Sequence, residues 1–236
     1  MAVAEPKQLV AVVEDDPDLR ANYEIALSKA GYRIEVFSDP DTVLSHYNQK
    51  LPDLIIVDIG LGADPEAGFS LCQQLRARSA VLPILFLTAR DNELDAISGL
   101  RLGADDYLTK DISLAHLCAR VTALLKRTAA RLEPVDVSTS TTVGNLRLDV
   151  DSLHASWNSE TVALTVTEFW LVHALARYPG HVKTRQQLMD AAQVVLDDQT
   201  ITAHIKRIRR KFHQVDSSFS RIETVYGMGY RWLVDA

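Results

Sequence analysis

The sequence predicts an α/β chain: a (βα)5 doubly wound domain on a parallel sheet, followed by a smaller α+β domain. Three observations carry this. Five short apolar runs alternate with segments of helical period through the first half of the chain. Acidic residues follow directly on the first and third of those runs. Near residue 129 the pattern breaks into a Ser/Thr-rich stretch, beyond which strand-like alternation gives way to helices, one with a basic face. At 236 residues, 47% hydrophobic and 24% charged, the chain has apolar surface enough for one or two ordinary domains.

The strands are expected at "LVAVV" (9–13), "RIEVF" (33–37), "DLIIV" (53–57), "PILFL" (83–87) and "DYL" (106–108). Val and Ile are stiff at χ1 and suit a pleated surface, and strands this uniformly apolar are buried on both faces. Helix punctuation separates them: Asp16-Pro17 and Asp39-Pro40 offer an N-cap and a first-turn proline, and Gly31 and Gly103 stand where C-terminal stops belong. Cys72 and Cys118 fall in apolar helical patterns, as packing residues rather than a disulfide or metal framework. With no apolar run of about 18 residues and no signal-peptide pattern at "MAVAEPKQ", the expected location is the cytoplasm, without a membrane partner.

In an open parallel sheet the ligand sits at the carboxyl ends of the strands. That edge collects Glu14, Asp15 and Asp16 after the first strand, Asp58 after the third, Thr88 at the fourth and Lys110 after the fifth. A single acid after a strand serves readily as a helix N-cap; four strand ends that agree make a site. The carboxylates suit an oxygen-seeking cation such as Mg2+, and the hydroxyl and ammonium suit a phosphoryl oxygen.

In "VVEDD", "PDLIIVD", "PILFLTAR" and "LGADDYLTK", residues 9–128 resemble the receiver domain of response regulators. The resemblance implies a flavodoxin-like fold with Asp58 as phospho-acceptor. It implies Mg2+ held by Glu14, Asp15, Asp58 and the backbone carbonyl of Gly60, with Thr88 and Lys110 on the phosphoryl group. Asp16 becomes the N-cap, and Tyr107 takes the place of an aromatic switch that turns inward as Thr88 moves toward the phosphoryl oxygen. The implied chemistry is metal-assisted phosphoryl transfer onto a carboxylate nucleophile.

The chain departs from the family at two places. Where the family carries a proline four residues after the acceptor and a glycine eight after it, this sequence has Gly62 and, two residues late, Gly68. A longer loop therefore flanks Asp58, which bears on kinase docking and phosphate lifetime. Lys110 is followed by Asp111 instead of a proline. A cis non-proline bond costs roughly 2.5–4 kcal/mol, so a trans bond is expected here.

Residues 129–142, "AARLEPVDVSTSTT", read as a linker, which sets domains at 5–128 and 143–236. The net charge of -6 divides unevenly: residues 1–128 hold 13 Lys+Arg against 19 Asp+Glu, and residues 142–236 hold 11 against 10. Beyond the linker, "NLRLDVDSLHASWNSETVALT" alternates apolar and polar residues with a turn at Asn158-Ser159, as a small antiparallel sheet does. "TVTEFWLVHALARYPG" is a helix capped by Thr165 or Thr167, and "TRQQLMDAAQ" is a second, short one. In "DDQTITAHIKRIRRKFHQ", Ile201, Ile205, Ile208 and Phe212 form an inward stripe, opposite Thr200, Ala203, Lys206, Arg207 and Arg210. "IETVYGMGYRWLV" is a hairpin. A basic helix face is commonly just solvated; small residues at its N-terminal end allow approach to base edges, with cations beyond for guanine and phosphates.

Residues 143–234 resemble the winged helix-turn-helix domain of OmpR/PhoB transcription factors, through "LTVTEFWLVHALARYPG", "TRQQLMD", "TITAHIKRIRRKF" and "TVYGMGYRW". The resemblance makes residues 198–213 the recognition helix in the major groove of double-stranded promoter DNA. Thr200, Thr202, Ala203 and Arg207 would face bases; Gln199, His204, Lys206 and Arg209 would face phosphates, with Arg210 on the same cationic face. For His204 a helix-surface imidazole without a role is the alternative. Tyr226 stands where the wing usually has an arginine. The segment "AAQVVLDD", where relatives can contact RNA polymerase, is shorter than usual and lacks a tryptophan.

Active receivers of this class pair through their fifth strand and the helices before and after it. Asp106 and Arg120 stand at one intermolecular ion pair, while Ala96 and His116 occupy another that cannot form. The expected function is therefore a two-component transcription regulator, phosphorylated on Asp58 by a cognate sensor histidine kinase and forming a homodimer in response. Two alternatives stay open: a regulator that works without phosphorylation, and a Mg2+-dependent phosphohydrolase. Against the second, Gly60 stands where such an enzyme carries its second acid.

Overall fold

The computed structural model describes residues 7–90, 99, 102–129, 140–192 and 198–234, which fall in two compact units, Met1–Leu125 and Lys126–Ala236. In the first, strands β1 (Leu9–Val13), β2 (Arg33–Phe37), β3 (Leu54–Val57), β4 (Ile84–Thr88) and β5 (Asp106–Thr109) form one parallel sheet in the order β2-β1-β3-β4-β5. Alternation sends Val10, Val12, Leu54 and Ile56 to one face, with Tyr23, Leu27, Leu117, Val121 and Leu124. Ala11, Val13, Ile55 and Val57 go to the other, with Val43, Leu71 and Leu75. Both faces are covered by helices, which is why every residue of β1, β3 and β4 is buried. Each fully buried Val, Leu or Ile contributes about 1.5–3 kcal/mol.

Helix Pro17–Lys29 is capped by Asp16, whose Oδ1 accepts from Asp18 N at 2.9 Å and Leu19 N at 3.0 Å. Helix Pro40–His46 is capped likewise by Asp39, which accepts from Thr42 N at 2.9 Å. Helices Ala67–Arg78 and Leu114–Ala129 complete the described layers. Strand order reverses between β1 and β3, so their carboxyl ends, carrying Glu14, Asp15 and Asp58, open on one crevice. Among the described residues no peptide bond is cis, and the Lys110–Asp111 bond is trans as the sequence led us to expect.

The second unit opens with an antiparallel sheet, β6 (Ser140–Val143), β7 (Leu146–Asp149), β8 (His154–Trp157) and β9 (Glu160–Thr161). The expected linker lies mostly outside the described residues, but its last three, 140–142, belong to β6. They pair with Arg147–Asp149 across the Gly144-Asn145 turn, because Thr141 and Thr142 are β-branched and suit an edge strand. Asn158 and Ser159, at φ +52° and +69°, form the tight turn between β8 and β9. Three helices follow, Val166–Ala176, Arg185–Ala191 and Asp198–Val215, and then the hairpin β10 (Ile222–Val225) and β11 (Gly229–Trp232).

Of the two candidate caps, Thr165 caps the first of these helices, in a reciprocal box with Glu168. Ile201, Ile205, Ile208 and Phe212 are all buried, in one core with Phe169, Leu175, Trp157 and Trp232. Gly229 fixes the hairpin in place. A Cβ there would lie 2.0 Å from the Lys183 carbonyl oxygen, and without one Tyr230 N donates to that oxygen at 2.9 Å while Lys183 N donates to Tyr230 O at 2.8 Å.

Candidate functional site

At the carboxyl edge of the first sheet, Glu14 and Asp58 are buried and Asp15 is exposed. Oxygens of the three carboxylates lie within 4.8 Å of one another. Lys110 reaches in from the end of β5: its Nζ is 2.6 Å from Asp58 Oδ2, 2.8 Å from Glu14 Oε1 and 2.7 Å from Glu14 Oε2. The other Asp58 oxygen, Oδ1, accepts from Ile59 N at 2.6 Å, which fixes the carboxylate's rotamer. Arg20 Nη1 donates to the Glu14 carbonyl at 2.7 Å and the Asp15 carbonyl at 3.3 Å, pinning the acidic turn.

The electrostatics follow from this crowding. Burial raises the Glu14 pKa, and the Lys110 ammonium only partly pulls it back. Burial also works against the Lys110 ammonium, but hydrogen bonds from it to Asp58 and Glu14 outweigh that and raise its pKa, so it stays charged. Two buried carboxylates and an exposed one converging on a point already held by a cation make a donor set that fits a hard, oxygen-seeking divalent ion such as Mg2+.

The lengthened loop after Asp58 is ordered around this site. Gly62 N donates to Asp15 Oδ2 at 2.9 Å, Leu61 is buried and bridges to Asp64, and Arg90 Nη2 donates to the Pro65 carbonyl at 2.6 Å. Gly68, displaced by two residues in sequence, packs directly on the Asp58 backbone. A Cβ at Gly68 would lie 2.1 Å from the Asp58 carbonyl oxygen, and Gly68 N donates to the Ile59 carbonyl at 2.9 Å. The two extra residues are taken up in the bridged loop, and helix Ala67–Arg78 still starts against Asp58. Asp111 accepts a short hydrogen bond from Thr109 Oγ1, which gives that carboxylate a partner next door to Lys110.

Thr88 is buried at the end of β4. Half-buried Tyr107 donates its hydroxyl to the Arg90 carbonyl at 2.8 Å and sets its ring 6.3 Å, edge on, from Phe86. Arg90, which sequence reasoning did not single out, thus touches both the loop beside Asp58 and the tyrosine. Asp106 and Arg120, expected to pair between two chains, pair within one: Arg120 Nε is 3.3 Å from Asp106 Oδ2 and both are buried, because helix Leu114–Ala129 packs on the face of the sheet that β5 shares. Ala96 lies outside the described residues.

In the second unit the helix Asp198–Val215 corrects part of the expected DNA face. Thr202, Lys206 and Arg210 are exposed and Ala203 half-buried, as an outward face requires. Arg207 and His204 are not on it. Arg207 is 4% and His204 0% exposed; the Arg207 guanidinium makes a short ion pair with Glu168, and His204 Nδ1 is 3.2 Å from Arg207 Nη2. Positions 204, 207 and 211 flank the apolar stripe at a spacing of three and four, so they turn toward the neighbouring helix. There Glu168, 0% exposed, also accepts from Lys211 Nζ at 2.6 Å and from Thr165 N at 2.7 Å.

Burial would raise the Glu168 pKa, but Arg207 and Lys211 overcome it and hold the group down. Arg209 is redirected too. Half-buried, it donates to the Ile222 carbonyl at 2.9 Å and to Thr224 Oγ1 at 2.9 Å, bracing the hairpin. The side chains of Gln199 and Thr200, and residues 193–197 of the expected polymerase-contacting segment, lie outside the described residues. Tyr226 is exposed at the hairpin tip. No described helix is long and apolar enough to cross a membrane.

Comparison with known proteins agrees with both halves. The family described as response regulator receiver domain matches residues 10–122, and that described as transcriptional regulatory protein, C terminal, matches residues 159–232. The chain is 39% identical over 229 residues to the transcriptional regulatory protein CreB of Escherichia coli, covering 95% of this chain and 97% of that protein. It is 36% identical over 225 residues to the sensory transduction protein RegX3 of Mycolicibacterium smegmatis, covering 94% and 97%. It is 32% identical over 231 residues to the alkaline phosphatase synthesis transcriptional regulatory protein PhoP of Bacillus subtilis, covering 94% and 95%. A solved RitR mutant, 23% identical with a TM-score of 0.77 over 97% of this chain and 100% of that one, shares the fold. The chain belongs to the OmpR/PhoB family of two-component response regulators, with a receiver domain followed by a DNA-binding winged helix-turn-helix domain that regulates transcription.

Proposed function

We propose that Asp58 accepts a phosphoryl group from a cognate sensor histidine kinase, and that the acyl phosphate promotes receiver dimerisation and promoter binding. The observation that carries this is the Lys110 ammonium spanning Asp58 at 2.6 Å and Glu14 at 2.8 Å on the rim of the sheet. Glu14, Asp15, Asp58 and the Gly60 carbonyl would hold Mg2+, which when bound supplies charge neutralisation for the phosphoryl oxygens.

One Asp58 carboxylate oxygen forms the bond to phosphorus as the phosphorus–nitrogen bond of the kinase's phosphohistidine breaks and the imidazole nitrogen recovers its electron pair. Asp58 Oδ1 stays oriented by the Ile59 N–H during approach. Lys110, freed from the Asp58 carboxylate, follows the charge onto a phosphoryl oxygen, and the Thr88 hydroxyl donates to another. Movement of Thr88 opens room beside Phe86, and Tyr107 exchanges its bond to the Arg90 carbonyl for an inward position. The Asp106–Arg120 pair then opens to bridge two receivers.

Thr202, Ala203, Lys206 and Arg210 face promoter DNA together with Gln199 and Thr200, and Tyr226 completes the contact from the wing. RNA polymerase is the further partner and the cytoplasm the location. The domains are a receiver over 5–128 and a DNA-binding domain that opens with β6 at Ser140, joined by a linker that ends before that strand. No turnover beyond phosphorylation and dephosphorylation of Asp58 is expected. Incubation with acetyl phosphate and Mg2+ tests the assignment by intact mass. The wild type should gain one phosphoryl group and Asp58→Ala none; equal labelling of both would place the acceptor elsewhere.

A further inference from the structure

The turn Val225-Tyr226-Gly227-Met228 ends the β10–β11 hairpin, closed by Met228 N donating to the Val225 carbonyl at 3.0 Å. Tyr226 is 93% exposed, the most of any large apolar side chain among the described residues, and Met228 is 59% exposed. Between Ile222 and Tyr230 the sequence has no Lys or Arg. Two cations at the hairpin's base have partners on the hairpin itself: Arg231 pairs with Glu223 across the strands, and Arg209 donates to the Ile222 carbonyl and Thr224 Oγ1. Through Arg209 the hairpin is braced on the helix Asp198–Val215, and Tyr230 Oη lies 3.3 Å from Thr202 Oγ1 on that helix's exposed face. The tip is therefore an uncharged, apolar prong on a hairpin braced beside the residues read as DNA-facing.

We propose that this wing acts as an apolar wedge in the minor groove next to the recognition-helix site. Met228 enters between two base pairs, and Tyr226 covers the sugar while its hydroxyl donates to the N3 or O2 acceptors on the groove floor. The inference rests on the reading of helix Asp198–Val215 as the DNA helix. A cationic wing favours the narrow, electronegative groove of an A-tract. A wedge without charge favours a step that unstacks cheaply, the pyrimidine–purine steps TA and CA/TG, and bends the duplex as it enters. The sequence preference of the flanking half-turn is thus set by deformability instead of groove potential.

The test uses the full chain with Mg2+ and beryllofluoride on a duplex selected by the wild type from a random-sequence pool. Bending is read by energy transfer between the duplex ends, and unstacking by 2-aminopurine fluorescence at the flanking step. The wild type should bend the duplex and lose roughly tenfold in affinity when the flanking TA step becomes AA. Tyr226→Ala combined with Met228→Ala should abolish the bend and the step preference while keeping the salt dependence. Tyr226→Arg should steepen the dependence of log K on log salt by about one and shift preference toward A-tracts.

Wild-type bending and step preference in the double variant would overturn the proposal, including the case where the tip serves RNA polymerase and the variant loses only recruitment. The helix reading fails separately, if Lys206→Ala with Arg210→Ala leaves affinity for the selected duplex unchanged.

Discussion

Two of the places where buried carboxylates meet cations differ in kind, one at the sheet edge of the first unit and one between helices of the second. In the first unit, Lys110 joins Glu14 and Asp58 at a sheet edge that also presents an exposed Asp15. In the second, Glu168 is sealed beneath Arg207 and Lys211 with its capping bond to Thr165. The first ends on the exposed Asp15 at the rim of the sheet, where the proposed function has it meet a cation and a phosphoryl group. The second is closed, and its charges orient two helices against each other. The balance of burial and cations differs between them: burial prevails at Glu14 and raises its pKa, whereas Arg207 and Lys211 prevail at Glu168 and lower it.

The comparison breaks most visibly at the closed cluster. Glu168→Ala leaves Arg207 and Lys211 without their counter-ion and is expected to cost about 3–5 kcal/mol. All three tryptophans, Trp157, Trp170 and Trp232, lie in the second unit, so their fluorescence in urea follows that loss alone. Acid sharpens the contrast. Glu168 is held at about 2 against an ordinary 4.5, so its contribution is present above pH 4.5 and lost as pH falls through about 2, on the order of 3 kcal/mol.

Glu14 is raised, so its contribution has the opposite sign, present below pH 4.5 and lost as pH rises through its folded value. Urea titrations across this range should show Glu168→Gln flattening the acid limb of the second unit, and Glu14→Gln leaving the first at least as stable at pH 7. Next comes Gly68→Ala, whose Cβ would meet the Asp58 carbonyl at 2.1 Å. It should cost about 1–3 kcal/mol in denaturant melts and weaken beryllofluoride binding by displacing the acceptor. The smallest stability effect belongs to Lys206→Ala and Arg210→Ala, exposed side chains whose loss should leave the melt unchanged and lower the salt slope of DNA binding by about one each.

Most of the open site was legible in the sequence because Glu14, Asp15, Asp58, Thr88 and Lys110 each stand one or two places past an expected strand, and a parallel sheet gathers such ends in one place. The fit of the long loop was not: that Gly68 must lack a side chain depends on how closely helix Ala67–Arg78 approaches Asp58, which no local pattern encodes. The closed cluster escaped for another reason. The four- and three-residue steps of Ile201, Ile205, Ile208 and Phe212 gave the inward face, but His204 and Arg207 sit on its flank, where charge suggested solvent. The clue lay elsewhere, in "TVTE" at 165–168, a capping box whose glutamate begins an otherwise apolar helix. Such a buried carboxylate requires a cationic partner, and the helix it packs against supplies two. Arg209 was misread in the same way, since its long stem reaches back to the hairpin.

The measurement that bears most directly on the open cluster as a phosphorylation switch is sedimentation of the wild type and Asp58→Ala, each in Mg2+, with and without beryllofluoride as acyl-phosphate mimic. A dimer that forms only with the wild type, and only with both Mg2+ and the mimic, is the expected result. Equal dimerisation of both proteins without the mimic would contradict it and move the control of assembly away from Asp58.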